Sequence, residues 1–397
     1  MRAGIVSILS FAVLSILAEY SPLVTGEEHT GPGYSYEKPV DGEPANIEIS
    51  VSDKTGYFKE RLPFNAEIET FDMATGKLAI GNSDSGSIMI FKLPSFIKIT
   101  SIGIEGGIGK MIFLPSGKLA VVKYREAEWE GFKDVSLVIL DIEKGLLLKE
   151  INLLDTGCNP GDPILLDMKR NLIISGKWSY DLSKGNLRGG TGFSPLLIDP
   201  DGKWCLGFSP DETGEAKYIK KLEMFSLPDM KTTGELPLPE GTYHIRDITY
   251  APGKHMVALA LRVNEPSKPS MLKGFLCLYD TENGVILYST FGAEQDFRAV
   301  SFTPDSRFLT VLNRNKISFL DIENGKEAGS IPLEGNTEAN LFLERIAFIE
   351  NRLVVWAPLG NVINVLQISE WYKAIESRIG RFVLINPPPH LPRLHYF

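Results

Sequence analysis

Four cations share a repeated position in this chain. Arg246 lies four residues before Tyr250 and Arg298 four before Phe302, while Lys110 and Arg345 come three before Phe113 and Phe348. If each aromatic marks the same place in a repeated strand, the four form a ring around one opening. On a chain of net charge −9, such a ring is a local positive site able to hold a carboxylate or phosphate group by charge-assisted hydrogen bonds. His244 and Tyr243 can add donors beside Arg246. Asp247, Asp296 and Glu344 stand within two residues of these cations, so internal salt bridges are the competing use of the same charges.

Other chemistry finds little support. The chain has no GxSxG elbow, no HExxH and no Cys/His pair with zinc spacing, and its five histidines (29, 244, 255, 390 and 395) are scattered. The glycine-rich stretch 103–111 misses the spacing of a phosphate loop, and Met111 stands where a magnesium-holding hydroxyl is needed. No catalytic residue, metal ligand or cofactor is assigned. A pI near 5.3 argues against nucleic acid and anionic membranes as partners. A second candidate surface lies in three long stretches, 123–135, 207–221 and 262–274, where Trp129, Phe132, Tyr218 and Met271 offer the exposed aromatic and sulfur groups that concentrate binding energy.

The elements that position these residues repeat. Asp141 with Gly145, Asp181 with Gly185, Asp280 with Gly284 and Asp321 with Gly325 each separate two strand-like runs. An Asp carboxylate can accept backbone N–H groups two or three residues on, and the Gly takes the left-handed dihedral that reverses the chain. The same slot falls at Lys92, Ser226 and Gln367, giving positions 92, 141, 181, 226, 280, 321 and 367 with spacings of 49, 40, 45, 54, 41 and 46 residues. Upstream of each slot is a hairpin pattern, as in residues 112–122 and 301–311. Each unit is therefore four short strands, a to d, and seven such sheets bury one another's faces only when stacked around an axis. The expected fold is all-β, a seven-bladed β-propeller of four-stranded antiparallel blades, monomeric because a closed ring leaves no long open edge.

The unit at 302–333 resembles the repeats of WD-repeat and YVTN-type propellers, a likeness that runs over roughly residues 67–379. The Gly-His dipeptide of WD repeats is absent, and the Trp-Asp position reads Leu140-Asp141, Tyr180-Asp181, Tyr279-Asp280 and Leu320-Asp321. The bacterial secreted YVTN-like or quinoprotein-type propeller is the closer likeness. That superfamily contains enzymes, electron-transfer partners and binding scaffolds. The resemblance and the candidate residues imply an exported scaffold presenting one loop-rich face to a protein or small anionic ligand; the alternative is an enzyme of lactonase or quinoprotein type acting at the channel mouth.

Residues 1–26 read as a secretory signal peptide, with Met1 and Arg2 before a 16-residue uncharged run from Ala3 to Ala18 and cleavage expected after Ala18 or Gly26. That run is short for a spanning helix, so no stable membrane insertion is expected after cleavage. Residues 27–44 form a linker, 45–386 the propeller and 387–397 a Pro-rich tail. Export, together with the lack of an Asn-x-Ser/Thr sequon, places the mature chain in a secreted or periplasmic compartment. Cys158, Cys205 and Cys277 allow at most one disulfide and are expected as small buried hydrophobes. Two strands compete to close the ring: NIEISV at 46–51 and RFVLIN at 381–386.

Overall fold

The structure is a computed structural model. It describes residues 48–376 apart from 53–54, 73–74, 116, 127–131, 191, 210–220, 228, 237, 239–241, 252, 265–272, 293–295, 314–315, 334–342 and 360–361. The signal, the linker and the tail expected at the two ends lie outside the described residues, as does the segment 381–386.

Local chemistry sets the strand ends. Six of the seven slots are the last residue of strand c and the seventh, Gln367, is one short of it. At Asp280 the carboxylate Oδ1 accepts the N–H groups of Glu282 (2.9 Å) and Asn283 (3.0 Å), and Gly284 N–H closes on the Asp280 carbonyl at 2.9 Å with φ of 68°. Asp181 repeats the pattern with Ser183 and Lys184 at 3.0 and 2.9 Å. A turn satisfied within four residues reverses the chain in whichever blade carries it.

Strands a to d pair in order in six antiparallel sheets, spanning residues 68–103, 107–152, 164–189, 194–236, 242–292 and 299–332. The seventh takes strands a to c from Arg345–Ile349, Arg352–Leu359 and Val362–Ile368 and its fourth strand from the other end of the chain. Thr55–Arg61 runs antiparallel to strand c with Thr55 opposite Ile368 and Arg61 opposite Val362, and Glu48–Ser52 adds a fifth strand outside it. Closure is thus N-terminal, through 55–61; the alternating run at 46–51 overlaps the added outer strand instead. From blade 1 to blade 7, strand a of each lies against strand a of the next, so these strands wall the central channel.

Apolar side chains fill the gaps between blades. Among the described residues, seven buried clusters occupy the seven interfaces, from Leu78, Phe91, Val354 and Trp356 between blades 1 and 7 to Leu172, Ile174, Cys205 and Phe225 between blades 3 and 4. All three cysteines are buried and unbridged, and burial, the leading cause, pushes each thiol up to about 12. Trp178 Nε1 donates to Cys158 Sγ at 3.0 Å. The helix Lys373–Glu376 seats against strand d of blade 6, where a Cβ on Gly329 would stand 2.1 Å from the Ala374 carbonyl oxygen.

Loops b–c and d–a emerge on the same face. The stretch 123–135 is mostly strand, since strands b and c of blade 2 stay paired out to Glu126 opposite Phe132. Phe132 is exposed there, its ring edge-on to Tyr124 at 5.2 Å. Trp129, Tyr218 and Met271 lie outside the described residues.

Candidate functional site at the channel mouth

Register brings the four cations to matching places along strand a, mid-strand in blades 2 and 5 and at its start in blades 6 and 7. Lys110 is in strand a of blade 2 (Gly107–Leu114) and Arg246 in that of blade 5 (Thr242–Tyr250); Arg298 immediately precedes Ala299–Phe302 of blade 6, and Arg345 opens Arg345–Ile349 of blade 7. His244, half-buried, lies two residues before Arg246. Strand a is irregular at two of these places. Its pairing with strand b slips by one residue between Ile108 and Lys110 and between Ile245 and Asp247, so Gly109 and Arg246 are the extra residues of bulges, which re-aim neighbouring side chains. Gly109 is dictated by close approach, since a Cβ there would lie 2.0 Å from the Pro160 carbonyl oxygen. The connection from blade 2 to blade 3 packs on that bare backbone and carries Asp162 toward Lys110.

Carboxylates interleave with the cations. Arg345 Nε meets Glu69 Oε1 at 2.6 Å, with side-chain exposures of 28% and 14%, and Trp356 Nε1 donates to the other Glu69 oxygen at 3.0 Å. Arg298 Nε pairs with Asp296 Oδ2 at 2.9 Å, and its Nη1 donates to the Leu343 carbonyl at 3.3 Å. Asp247 accepts the N–H of Val300 at 2.8 Å and of Ile248 at 3.0 Å, tying blade 5 to blade 6. Burial pushes the Asp247 carboxyl up to about 6 against the pull of Arg345. It raises Glu344 as well. Arg345 is held above its ordinary value because Glu69, Asp247 and Glu344 together outweigh its burial.

Two cations are left over. Arg246 Nε is buried with no hydrogen-bond partner, and burial, then the neighbouring Arg262 and Arg298, hold its guanidinium below the usual value while Asp296 and Glu344 act on it from a distance. Among the described residues Lys110 makes no ion pair or hydrogen bond. Burial and then Arg345 lower its ammonium to about 8, with Glu69 and Asp162 opposing at longer range. One Asp162 oxygen is engaged by the Asn159 N–H at 2.9 Å. An unpaired buried donor costs about 1–3 kcal/mol; a bound anion would recover it at Arg246.

Glu69, Asp162 and Arg262 join the mouth without standing at the offset that marks the four cations. Glu69 is two residues before Phe71, and Asp162 lies in a connection rather than a strand. A search for acids near the same aromatics would have found Glu69. Among the described residues no group of three His, Cys, Asp or Glu is arranged to hold a metal ion.

No protein-family model matches the chain, and no curated protein sequence matches it. Solved structures do. A structure described as KlHsv2 with loop 6CD replaced by a Gly-Ser linker aligns with a TM-score of 0.53 at 14% identity, covering 75% of this chain and 90% of that one. Hydrazine synthase of Kuenenia stuttgartiensis aligns at 0.53 and 13% identity, covering 77% and 95%. Both likenesses are of fold alone.

Proposed function

We propose that this chain is a non-enzymatic propeller scaffold of the YVTN-like kind, exported and monomeric, that receives an anionic ligand at the channel mouth. The observation that carries the reading is the buried, unpartnered Nε of Arg246, supported by the unpaired Lys110 across the same opening. Carboxylate or phosphate oxygens would supply the missing acceptors. Arg298 and Arg345 hold the mouth in shape, since both already have carboxylate partners. Phe132, exposed at the start of strand c of blade 2, together with Trp129, Tyr218 and Met271 of the long sequence stretches, would serve a protein partner.

Calorimetric titration of the full chain with phosphate and with acetate at pH 7 in a chloride buffer tests this. Binding should appear in the wild type and be lost in Lys110→Met with Arg246→Met, while the double variant keeps the wild-type melting temperature within a few degrees. Absence of any anion binding by the wild type removes the reading. The second reading, a lactonase- or quinoprotein-type enzyme at the mouth, follows from the resemblance and predicts a tightly held metal or chromophore in protein purified from its source.

A further inference from the structure

Arg246 has a counterpart on the far side of blade 6. Glu344 stands immediately before strand a of blade 7, half-buried, and among the described residues its carboxylate makes no hydrogen bond or ion pair. Its main chain is fixed: the N–H donates to the Trp356 carbonyl at 3.1 Å, and the carbonyl accepts from Arg345 Nη1 at 3.4 Å. Strand a of blade 6 lies between strand a of blade 5 and strand a of blade 7, so Glu344 and Arg246 act on each other across it without forming an ion pair. The charges beside them are already engaged, Arg298 with Asp296 at 2.9 Å and Arg345 with Glu69 at 2.6 Å. The groups facing Glu344 are thus Arg345 beside it, Glu69 from blade 1, Arg298 from blade 6 and Arg246 from blade 5. Behind these stand Lys110, which acts on Arg345 and Glu69, and Arg262, which acts on Arg246. The titratable neighbours of Arg246 along its own strand are His244 and Asp247, and the Asp247 carboxylate is held by the N–H groups of Val300 and Ile248.

A carboxylate held this way is sensitive to any further negative charge. Burial holds the Glu344 carboxyl above its ordinary value, with Glu69 adding to the effect, while Arg345, Arg246 and Arg298 pull the other way. An anion seated on Arg246 screens the guanidinium from Glu344 and sets a like charge nearby, and both effects favour the neutral carboxyl. Resting on the anion-site reading above, we infer that the mouth binds its anion together with a proton, taken from solvent onto the Glu344 carboxylate. Ionised, Glu344 is an internal competitor for Arg246; neutral, it leaves that guanidinium to the ligand. Because coupling between two sites is reciprocal, affinity for the anion rises as pH falls and Glu344 becomes protonated.

Calorimetry of the full chain with methanesulfonate, a one-charge anion that does not itself titrate between pH 5.5 and 8, tests the coupling. At pH 7, heats measured in two buffers of different ionisation enthalpy should show a net uptake of protons on binding. Affinity should rise about fivefold or more from pH 8 to pH 5.5, the low end of ordinary coupling between sites. Glu344→Gln keeps the side-chain shape and both backbone bonds. It should bind methanesulfonate at pH 8 more tightly than the wild type does, and lose more than half of the proton uptake and of the pH dependence; matching melting curves verify its folding. Arg246→Met should abolish binding, and binding that survives it places the anion elsewhere and overturns both readings. Wild-type binding with no proton uptake and equal affinity at the two pH values overturns the coupling while leaving the anion site standing. Uptake that persists undiminished in Glu344→Gln places the proton on Asp247 or His244 and overturns the inference as stated. If methanesulfonate, phosphate and acetate all fail to bind at every pH, the site itself falls.

Discussion

Arg345→Met is the perturbation most sensitive to how the channel mouth is held. The guanidinium sits 2.6 Å from Glu69, and it also lowers the carboxyls of Asp247 and Glu344 against their burial. Removing one partner of a buried pair costs about 3–5 kcal/mol because the other charge stays buried and uncompensated. With Trp356 still donating to Glu69, the lower half of that range is expected, about 3 kcal/mol. At about 1.5 °C per kcal/mol for a domain of this size, the melting temperature should fall by about 4–5 °C. The pH dependence carries the mechanism. Asp247 and Glu344 already have folded-state values above their ordinary ones, so their contribution to stability is full at low pH and is lost as pH rises through the folded value. Loss of Arg345 raises both further, and the deficit should be larger at pH 7.5 than at pH 5. Urea denaturation at the two pH values, with Glu69→Gln to complete a double-mutant cycle, measures it. A deficit under about 1 kcal/mol, or one equal at both pH values, would show that Arg345 is not what keeps these carboxylates tolerable.

Asp247→Asn keeps an oxygen to accept the Val300 N–H but removes a carboxylate pushed up to about 6 from 3.8; it should flatten the stability profile by about 1 kcal/mol between pH 5 and 7, and an unchanged slope in chemical denaturation would count against the assignment. Gly109→Ala places a methyl 2.0 Å from the Pro160 carbonyl oxygen and should cost about 1–3 kcal/mol, with hydrogen exchange accelerating first in the 153–163 connection. Asp280→Ala removes the acceptor for Glu282 and Asn283 N–H. A loss of about 1 kcal/mol is expected; since the Asn283 side chain, opposed by burial, holds this carboxyl below its ordinary value, wild type and variant should converge as acid titrates it.

The blades were legible because their punctuation is local. Asp181 and Asp280 settle their turns with N–H groups two and three residues on, so the residue types themselves mark where strand c ends. The cations were legible for a related reason: an aromatic in each strand a supplied a register. What the register could not show is which charges are engaged. Glu69 reaches Trp356 from nearly the other end of the chain, and Asp247 binds a backbone N–H fifty-three residues away, contacts set by ring geometry and not by any run of residues. The closing strand was missed on opposite grounds. TGYFKER at 55–61 lacks the alternation of NIEISV, and its place follows only from strand c of blade 7 needing a partner.

That closing strand gives the protein a history during its own synthesis. Arg61 pairs with Val362 and Thr55 with Ile368, so the strand made early must wait for roughly 300 further residues, about 15–60 s at ordinary rates of translation. Joining ends that far apart costs about 5 kcal/mol of chain entropy, so the seam closes last and is the place where the ring first comes apart. For all that time 55–61 is a nascent strand without its partner, the condition in which apolar segments pair with a neighbouring chain. Lys59, Glu60 and Arg61 in succession are a sequence suited to waiting: the polarity that hides the strand from pattern reading also keeps it from being captured before blade 7 exists.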